Sequence, residues 1–482
     1  MKRDHLGSRL GFLLLSAGCA IGVGNVWKFP WMVGEYGGGA FVVVYILFLI
    51  ILGLPVMTME FSMGRAAQKS PIYMYNELTP DKKAWGLHGI ICFIGNIVLM
   101  MFYTMVAGWL LYYFVSMVSG KLDYMGAGDV ANYFSNLCGN PTTLITYMII
   151  VCVLGFFILS FSLRGGLERV TKVMMLALII IMIIIAIKGF SMTGAKSGLA
   201  FYLVPDFSKI DFDVIVAAMN QSFFTLSLGI GAMAIFGSYI DKNHSLLSES
   251  INVIILDTFV AFVAGLIIFP ACFTYGVEPG AGPSLIFITL PNIFINMPLG
   301  RLWGSLFFLF MTFAAFSTVL AVFENILASV RDLTGFSRSK TSIICCIVII
   351  ILSLPCCLGF NVLSNITPLG PGTGIMDLED FIVSNCLLPL GSLVYVIYCT
   401  NKFGWGWENF KKESNTGAGL KFNDVFYGYC KYVLPIIILF IFFLGIRQYT
   451  TLKDVFILCT CFIISYIVAN IVISINKDKK TQ

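Results

Sequence analysis

Long apolar runs, each about long enough to cross a bilayer as a helix, follow one another along almost the entire sequence. A transmembrane helix needs about 20 mainly apolar residues. A further apolar stretch near 283–298 is interrupted by proline, and we expect an extracellular hairpin there. The sequence therefore predicts an all-α integral membrane protein with 12 transmembrane helices in a single domain, residues 1–482. The predicted spans lie near residues 11–35, 40–64, 89–119, 143–162, 168–189, 213–238, 249–274, 300–330, 341–361, 378–399, 425–446 and 453–475.

The composition agrees with a protein whose surface faces lipid. Hydrophobic residues make up 58% of the 482 residues and charged residues only 11%, whereas a soluble protein carries about 25% charged residues. The net charge of +5 is too small and too dispersed to indicate a nucleic-acid partner. No histidine lies in the middle of an apolar run, and no Cys/His spacing resembles a zinc site. These patterns argue against a membrane metalloenzyme.

The basic residues predict the orientation of the chain in the cell membrane. An even number of spans places both termini on one side, and cytoplasmic loops are enriched in lysine and arginine. With the amino terminus inside, the cytoplasmic segments hold most of the basic residues. We therefore expect a multi-pass protein of the cell membrane with both termini in the cytoplasm. The basic clusters of those segments are Arg65/Lys69/Lys82/Lys83, Arg164/Arg169/Lys172, Lys402/Lys411/Lys412 and Lys477/Lys479/Lys480.

Two predicted spans contain glycine-rich interruptions. The first span holds three glycines and Asn25 near its middle, and the sixth holds Gly229 and Gly231. Each interior glycine costs about 1 kcal/mol relative to alanine in a helix, so these segments break easily. Small residues for close helix packing are the alternative explanation. Paired interruptions are typical of the binding site of a secondary transporter.

The two interruptions open two sets of five spans, residues 11–189 and 213–399, and residues 425–475 form two further spans. Five is an odd number, so the two sets enter the membrane in opposite directions, as in an inverted repeat. A broken helix exposes carbonyl oxygens that suit a hard cation and N–H groups that suit a carboxylate. Further oxygens would come from polar side chains in otherwise apolar spans, namely Asn25, Thr225, Asp257, Ser317 and Thr318.

These residues predict a sodium-coupled transporter, with three alternatives. Asp257 is an ionisable group within an apolar run, and such groups are costly to bury and mark functional sites. Proton coupling through Asp257 is one alternative. A membrane enzyme is the second, although the sequence offers neither a nucleophile with its base nor a metal cluster. A non-transporting amino-acid sensor is the third.

A series of motifs follows in order along the chain: "RLGFLLLSAGCAIGVGNVWKFP", "GGGAF", "MEFSMGR", "QSFFTLSLGIGA", "LDTFVAFVAGLIIFPA", "FAAFSTVLAVFE" and "DFIVSNCLLPLG". This series resembles the neurotransmitter:sodium symporter family, in particular its bacterial amino-acid branch with the leucine-transporter fold. The resemblance covers nearly the whole chain. It implies a 5+5 inverted repeat with broken helices 1 and 6, and sodium-coupled import of an amino acid rather than catalysis.

The resemblance implies two sodium sites, of which the first is completed by the substrate carboxylate. The ligands of the first site would be Ala20, Asn25, Thr225 and Asp257. The ligands of the second would be Gly18, Ile21, Ala314, Ser317 and Thr318. Oxygen-only coordination of this kind fits a hard cation.

The resemblance also implies a substrate pocket in which Tyr103 binds the carboxylate and Phe224 closes the outer side. Gly22 stands where the monoamine transporters of the family have aspartate, so the ligand should be an amino acid. The apolar walls favour a neutral hydrophobic or aromatic side chain. The pocket residues would be Ala20, Gly22, Gly24, Leu99, Tyr103, Phe224, Thr225, Ser227, Ile230, Thr318 and Val322.

Two gates and two structural carboxylates follow from the resemblance. Lys28 would pair on the outside with Asp380, or less well with Asp377. On the inside, Arg3 would pair with Asp332 and stack on Tyr239. Glu60 and Glu324 are interpreted as acceptors for N–H groups that the sixth-span break leaves free.

The sequence departs from the family pattern at several positions. Lys28 replaces the usual arginine and cannot form its bidentate contact. Asp257 and Ala261 stand where chloride-dependent members have asparagine and serine, which predicts chloride independence. The remaining departures concern Ser317 in place of threonine and Leu176 in place of a proline in the fifth span. Tyr45 and Gln221, which belong to the anion site that binds chloride in those members, are present here.

The oligomeric state, monomer or homodimer, stays open.

Overall fold

The structure, a computed structural model, describes residues 5–277 and 284–447. Within these residues the chain is helical, and the only extended pairing is an isolated bridge between His244 and Ala418. The first predicted span consists of two helices, Arg9–Ala20 and Gly24–Glu35, with an angle of 56° between them. In the described ranges, 9 helices are each long and apolar enough to cross a membrane: Gly39–Ala67, Lys83–Val118, Pro141–Ser160, Leu163–Phe190, Leu246–Tyr275, Gly300–Thr334, Arg338–Leu358, Ile375–Thr400 and Phe426–Ile446.

The sixth predicted span corresponds to two short helices, Phe212–Thr225 and Ala232–Gly237. The other predicted spans that fall within the described residues also match helices, with ends that differ by a few residues. The predicted span at 453–475 lies outside the described residues. The long apolar runs were therefore a reliable signal, because a helix is the one segment that satisfies its own backbone groups in lipid.

The segment between the seventh and eighth spans differs from its prediction. The hairpin expected at 283–298 is wrong, because Leu285–Ile295 forms a single short helix. Pro291 lies just after the π-helical turn Leu285–Thr289, and the helix continues through this proline to Ile295. The Phe287 ring stacks on Phe134 at 5.0 Å and meets the edges of Trp109 and Trp27 at 5.5 and 5.8 Å.

The core of the molecule is formed by the third, seventh and eighth spans, which are the most buried of the long helices. The fourth and ninth spans lie outside them and expose apolar side chains such as Phe157 and Ile347. Glycine allows neighbouring helices to approach closely. A Cβ at Gly64 would overlap the Ala234 carbonyl, so the second span lies directly against Ala232–Gly237. This contact fixes the second half of the sixth span, Ala232–Gly237, while its middle is broken.

Candidate functional site

The first span breaks where its glycines are concentrated. Helix Arg9–Ala20 ends at Ile21, which is extended, and the chain becomes helical again at Gly24. The Asn25 side-chain oxygen accepts the Gly22 N–H at 3.1 Å. The polar residue of the motif therefore satisfies a backbone donor that the break leaves without a helical partner.

The sixth span breaks over six residues, and three of them adopt left-handed conformations. Ser227, Gly229 and Gly231 have φ of 51°, 100° and 74°. Side chains of other spans bind the carbonyls that this break frees. Asn96 donates to the Ile230 carbonyl at 2.8 Å, and Asn325 donates to the Gly231 carbonyl at 3.2 Å.

Glu60 binds the N–H groups of the same break, as predicted. Its carboxylate is fully buried and accepts from Gly229 at 2.5 Å and from Met233 at 3.2 Å. The parallel prediction for Glu324 is wrong. Its carboxylate accepts the Tyr239 hydroxyl at 2.7 Å and pairs with the Arg338 guanidinium. A buried carboxylate is best satisfied by a guanidinium, and Arg338 lies within reach of this one.

We expect Glu60→Gln to lower the melting temperature of the purified protein. The amide removes the charge from two hydrogen bonds, and losing a buried charged acceptor costs about 1–3 kcal/mol. Glu408→Gln is the matched control, since the Glu408 side chain is 82% exposed. If Glu60→Gln had the same melting temperature as the wild type, the broken conformation of the sixth span would not depend on this carboxylate.

Asp257 lies at the centre of a buried oxygen-rich cluster between the two breaks. The Asn25 amide donates to Asp257 Oδ1 at 2.8 Å, and the Thr225 hydroxyl lies 3.3 Å from Oδ2. Asp257 is fully buried, and no lysine, arginine or histidine of the described residues pairs with it. A buried carboxylate without a cationic partner is unfavourable. With the Ala20 carbonyl on the adjoining break, this donor set fits Na⁺.

A second oxygen-rich group lies where the eighth span crosses the first break. The Ser317 hydroxyl reaches the carbonyls of Ala314 at 2.9 Å and Ile21 at 3.3 Å. The Thr318 hydroxyl lies 3.3 Å from the Gly18 carbonyl. All five residues predicted for the second sodium site are thus brought together, again with oxygen donors only.

Between the two groups lies a small cavity of about 30 Å³. This volume is far below the roughly 300–1,000 Å³ of ordinary ligand pockets, so its walls must separate when a ligand enters. Val322 is fully buried and does not line this small cavity, so its place in the substrate pocket stays a prediction. The lining consists of Cys19, Ala20, Gly22, Gly24, Leu99, Tyr103, Phe224, Thr225, Ser227, Ile230, Thr318, Val383 and Leu388.

Three lining residues were missed from sequence: Cys19, Val383 and Leu388. Val383 and Leu388 belong to the tenth span, whose stretch Phe381–Leu387 is a wider π-helical turn. A spacing of five residues returns to the same face in a π-helix but not in an α-helix. The motif "DFIVSNCLLPLG" signalled this region, but a period of 3.6 residues could not identify its inward face.

Two glycines shape the cavity by the absence of a side chain. A Cβ at Gly22 would lie 2.6 Å from both the Tyr103 hydroxyl and the Thr318 hydroxyl. A Cβ at Gly24 would lie 3.0 Å from the Phe224 ring. The Tyr103 hydroxyl accepts the Val23 N–H at 3.0 Å, so it lies directly over the first break.

The predicted outer-gate residues are Lys28 on the first span and Asp380 on the tenth. The Lys28 ammonium lies 3.7 Å from the centroid of the half-buried Phe224 ring. It forms no direct ion pair with Asp380 among the residues that the structure describes, and Asp380 instead accepts the Ser384 hydroxyl at 2.6 Å. The alternative partner, Asp377, caps its own helix through the Gly374 N–H.

At the opposite end, Asp332 accepts the Ser70 N–H at 2.9 Å. Arg3 lies outside the described residues, so its predicted contacts with Asp332 and Tyr239 stay predictions. Of the two anion-site residues, Tyr45 lies next to Asp257. The Gln221 amide donates to the Gly24 carbonyl at 3.0 Å, and the Tyr45 hydroxyl and Gln221 Oε1 are buried without a hydrogen-bond partner in the described structure.

Comparison with known proteins places this site in a family. A model of the sodium:neurotransmitter symporter family matches residues 3–143 and 134–475. An uncharacterized sodium-dependent transporter of Bacillus subtilis is 32% identical over 444 residues, covering 92% of this chain and 98% of the relative. The sodium-dependent serotonin transporter of Drosophila melanogaster is 26% identical over 500 residues, with coverages of 93% and 77%.

The solved structure of MhsT in complex with L-phenylalanine matches with a TM-score of 0.83 and 35% identity, covering 92% of this chain and 99% of MhsT. This likeness confirms the predicted leucine-transporter-type fold. The proteins matched are transporters and not enzymes, and the predicted family is likewise confirmed. The chain belongs to the sodium:neurotransmitter symporter family and is a multi-pass, sodium-dependent membrane transporter.

Proposed function

We propose that this transporter imports a neutral amino acid, hydrophobic or aromatic, together with sodium. The observation that carries the proposal is the buried Asp257 carboxylate, which lies beside the substrate cavity and has no cationic partner in the described structure. A sodium ion bound there would neutralise it. Because the substrate carboxylate would share this ion, sodium and amino acid bind cooperatively, which couples their movements.

We assign the two oxygen-rich groups to two sodium ions. Asn25, Thr225 and Asp257, with the Ala20 carbonyl, would hold the first ion. The group around Ser317 and Thr318, with the carbonyls of Gly18, Ile21 and Ala314, would hold the second. This second group joins the first and eighth spans, so an ion there would stabilise their contact.

The substrate class follows from the walls of the cavity. The two breaks and the Tyr103 hydroxyl offer polar groups to the amino-acid backbone, and the absence of a side chain at Gly22 leaves room for its carboxylate. Leu99, Ile230 and Val383 offer only apolar surface to the side chain. The phenylalanine complex of MhsT supports an aromatic or hydrophobic ligand.

We further propose that transport is independent of chloride. The Asp257 carboxylate supplies a fixed negative charge beside Tyr45, and Ala261 offers no hydroxyl. A chloride ion there would be repelled. Replacing chloride by gluconate should leave uptake unchanged, and a loss of uptake would contradict this assignment.

Alternating access would expose the cavity first to one side and then to the other. We assign the outer gate to Lys28, Phe224 and Asp380, and the inner gate to Arg3 with Asp332 and Tyr239. The basic loops support a cell-membrane protein with both termini in the cytoplasm. Ligands shift the population between the two states because they bind one state better.

Uptake of radiolabelled L-phenylalanine into proteoliposomes tests the proposal. We expect uptake that requires an inward sodium gradient and disappears when choline replaces sodium at fixed pH. Full uptake in choline would exclude sodium coupling, and stimulation by an inward proton gradient would then favour proton coupling through Asp257. Binding without uptake would indicate a sensor. Competition by unlabelled amino acids would define the substrate range.

Ile230→Ala should shift this range toward larger side chains. Ile230 lines the cavity, and one methylene in an apolar pocket changes selectivity by about 1–3 kcal/mol. We expect the inhibition constant of tryptophan to improve relative to that of alanine by about tenfold or more. Ile255→Ala, a change on the lipid-facing surface, is the control. An unchanged ratio would remove Ile230 from the substrate wall.

A further inference from the structure

The segment that precedes the first span is attached to the start of the fifth span. The Arg164 side chain donates to the His5 carbonyl at 2.9 Å. The Glu168 carboxylate accepts the Gly7 N–H at 2.7 Å and the Ser8 hydroxyl at 3.0 Å. Lys172 lies 2.7 Å from the same carboxylate and donates to the Ser8 hydroxyl at 2.6 Å.

Glu168 thereby lies at the positive end of helix Arg9–Ala20. Ser8 is the N-cap of this helix and accepts the Gly11 N–H at 3.0 Å. A negative charge near a helix N-terminus is stabilising, and the Glu168 side chain is only 4% exposed. Gly11 is required for this approach, because a Cβ there would overlap the carboxylate.

The position of this helix gives the contact its importance. Cys19 and Ala20, at its end, line the substrate cavity. The helix therefore lies between the cavity and the membrane face that carries the amino terminus. Opening the cavity toward this face requires the helix to move, and Glu168 would lose both the Gly7 N–H and the Ser8 hydroxyl.

We propose that Glu168 is a positioning residue of the inner gate, which holds the inner half of the first span closed and releases it for substrate exit. This inference rests on the proposed transport function and deepens it. The contact is suited to reversible release, because Lys172 is on the same helix as Glu168. When helix Arg9–Ala20 moves away, the Glu168 carboxylate remains paired with Lys172, so no unpaired buried charge is left.

Two other features favour Glu168 as the controlling contact. Arg9 also joins the helix to the fully buried Glu249 at 2.8 Å, but breaking that pair would leave a buried carboxylate without its cation, whereas Glu168 keeps Lys172. The fifth span has Leu176 and no nearby proline that would make its first turns easy to unwind. Release at the Glu168 side chain is then a smaller change than unwinding the helix.

Alkylation of the native Cys19 thiol measures opening directly. A membrane-impermeant maleimide is applied to whole cells and to inverted vesicles in choline buffer without amino acid, and the Cys19 peptide is quantified by mass spectrometry. Cleavage of an amino-terminal tag identifies the face that carries the terminus. We expect Glu168→Gln to raise Cys19 labelling from that face by about tenfold, since charged hydrogen bonds are lost. Labelling from the opposite face should not rise.

Ser8→Ala and Gly11→Ala should raise labelling from the same face, because one removes a donor to Glu168 and the other displaces its carboxylate. Ser8 is exposed, so its variant should fold even if Glu168→Gln does not. Asp424→Asn is the control, since it breaks the exposed pair with Lys411 at the same end of the molecule. Wild-type labelling in folded Ser8→Ala and Gly11→Ala would overturn the proposal, as would increased labelling from both faces. The labelling measurement does not depend on uptake. Failure of the proposed Glu168 contact and failure of the proposed transport function can therefore be distinguished.

Discussion

Asp257→Ala is expected to abolish sodium-dependent amino-acid binding while the protein remains folded. The carboxylate is fully buried, accepts a hydrogen bond from Asn25 at 2.8 Å, and is the one fixed negative charge that we assign to the first sodium site. Removing one partner of a buried charge pair costs about 3–5 kcal/mol. Every 1.4 kcal/mol is a tenfold change in affinity, so the loss should be at least about 100-fold.

Binding of radiolabelled phenylalanine to purified protein, titrated with sodium, is the measurement. Thr258→Ala is the matched control, because Thr258 is the next residue on the helix and lies in the apolar groove at the lipid-facing side. Asn25→Ala should behave like Asp257→Ala, since it removes the side-chain oxygen and the donor to the carboxylate. Wild-type sodium dependence in both variants would refute the first-site assignment.

Gly22→Ala should eliminate saturable uptake. The added methyl group would lie 2.6 Å from two hydroxyl oxygens, those of Tyr103 and Thr318, which is closer than carbon and oxygen can pack. The methyl group would occupy the space that we assign to the substrate carboxylate. Because a charged group displaced from its site cannot be accommodated by the apolar walls, we expect affinity to fall by about 100-fold or more.

The control for this change is Gly139→Ala, where a Cβ would meet open space. Thermal stabilisation by sodium separates a blocked pocket from a damaged fold. The added methyl group would disturb the Thr318 hydroxyl of the second sodium site but does not contact the Asp257 carboxylate, so sodium binding at the first site should still raise the melting temperature. Normal phenylalanine uptake by Gly22→Ala would contradict the placement of the carboxylate.

The sequence predicted the helical spans and the two breaks because both depend on local properties. The length of an apolar run decides whether a helix crosses a bilayer. The glycines around Gly22 and Gly229 decide where the first and sixth spans are broken. The oxygen-bearing residues could be placed because a polar side chain in an apolar run has few other roles. Their convergence on one level of the molecule was predicted through the family resemblance, not through spacing.

The remaining details depend on tertiary contacts. Proline made 283–298 resemble a turn, yet Pro291 lies where a helix tolerates it. The inward face of the tenth span follows a π-helical turn, which no apolar period indicates. Glu324 was assigned through the family resemblance, and its true partner is set by the approach of Arg338. The left-handed conformation of Ser227 had no signal in the sequence, because this conformation is uncommon for a residue with a side chain.

The aromatic contact between Trp27 and Phe287 connects the outer half of the first span to the short helix Leu285–Ile295. A tilt of that half-span must either carry the short helix along or separate the two rings. Antibody fragments raised against the short helix should therefore discriminate between conformers of the transporter. A fragment that favours one conformer would arrest turnover without entering the translocation pathway.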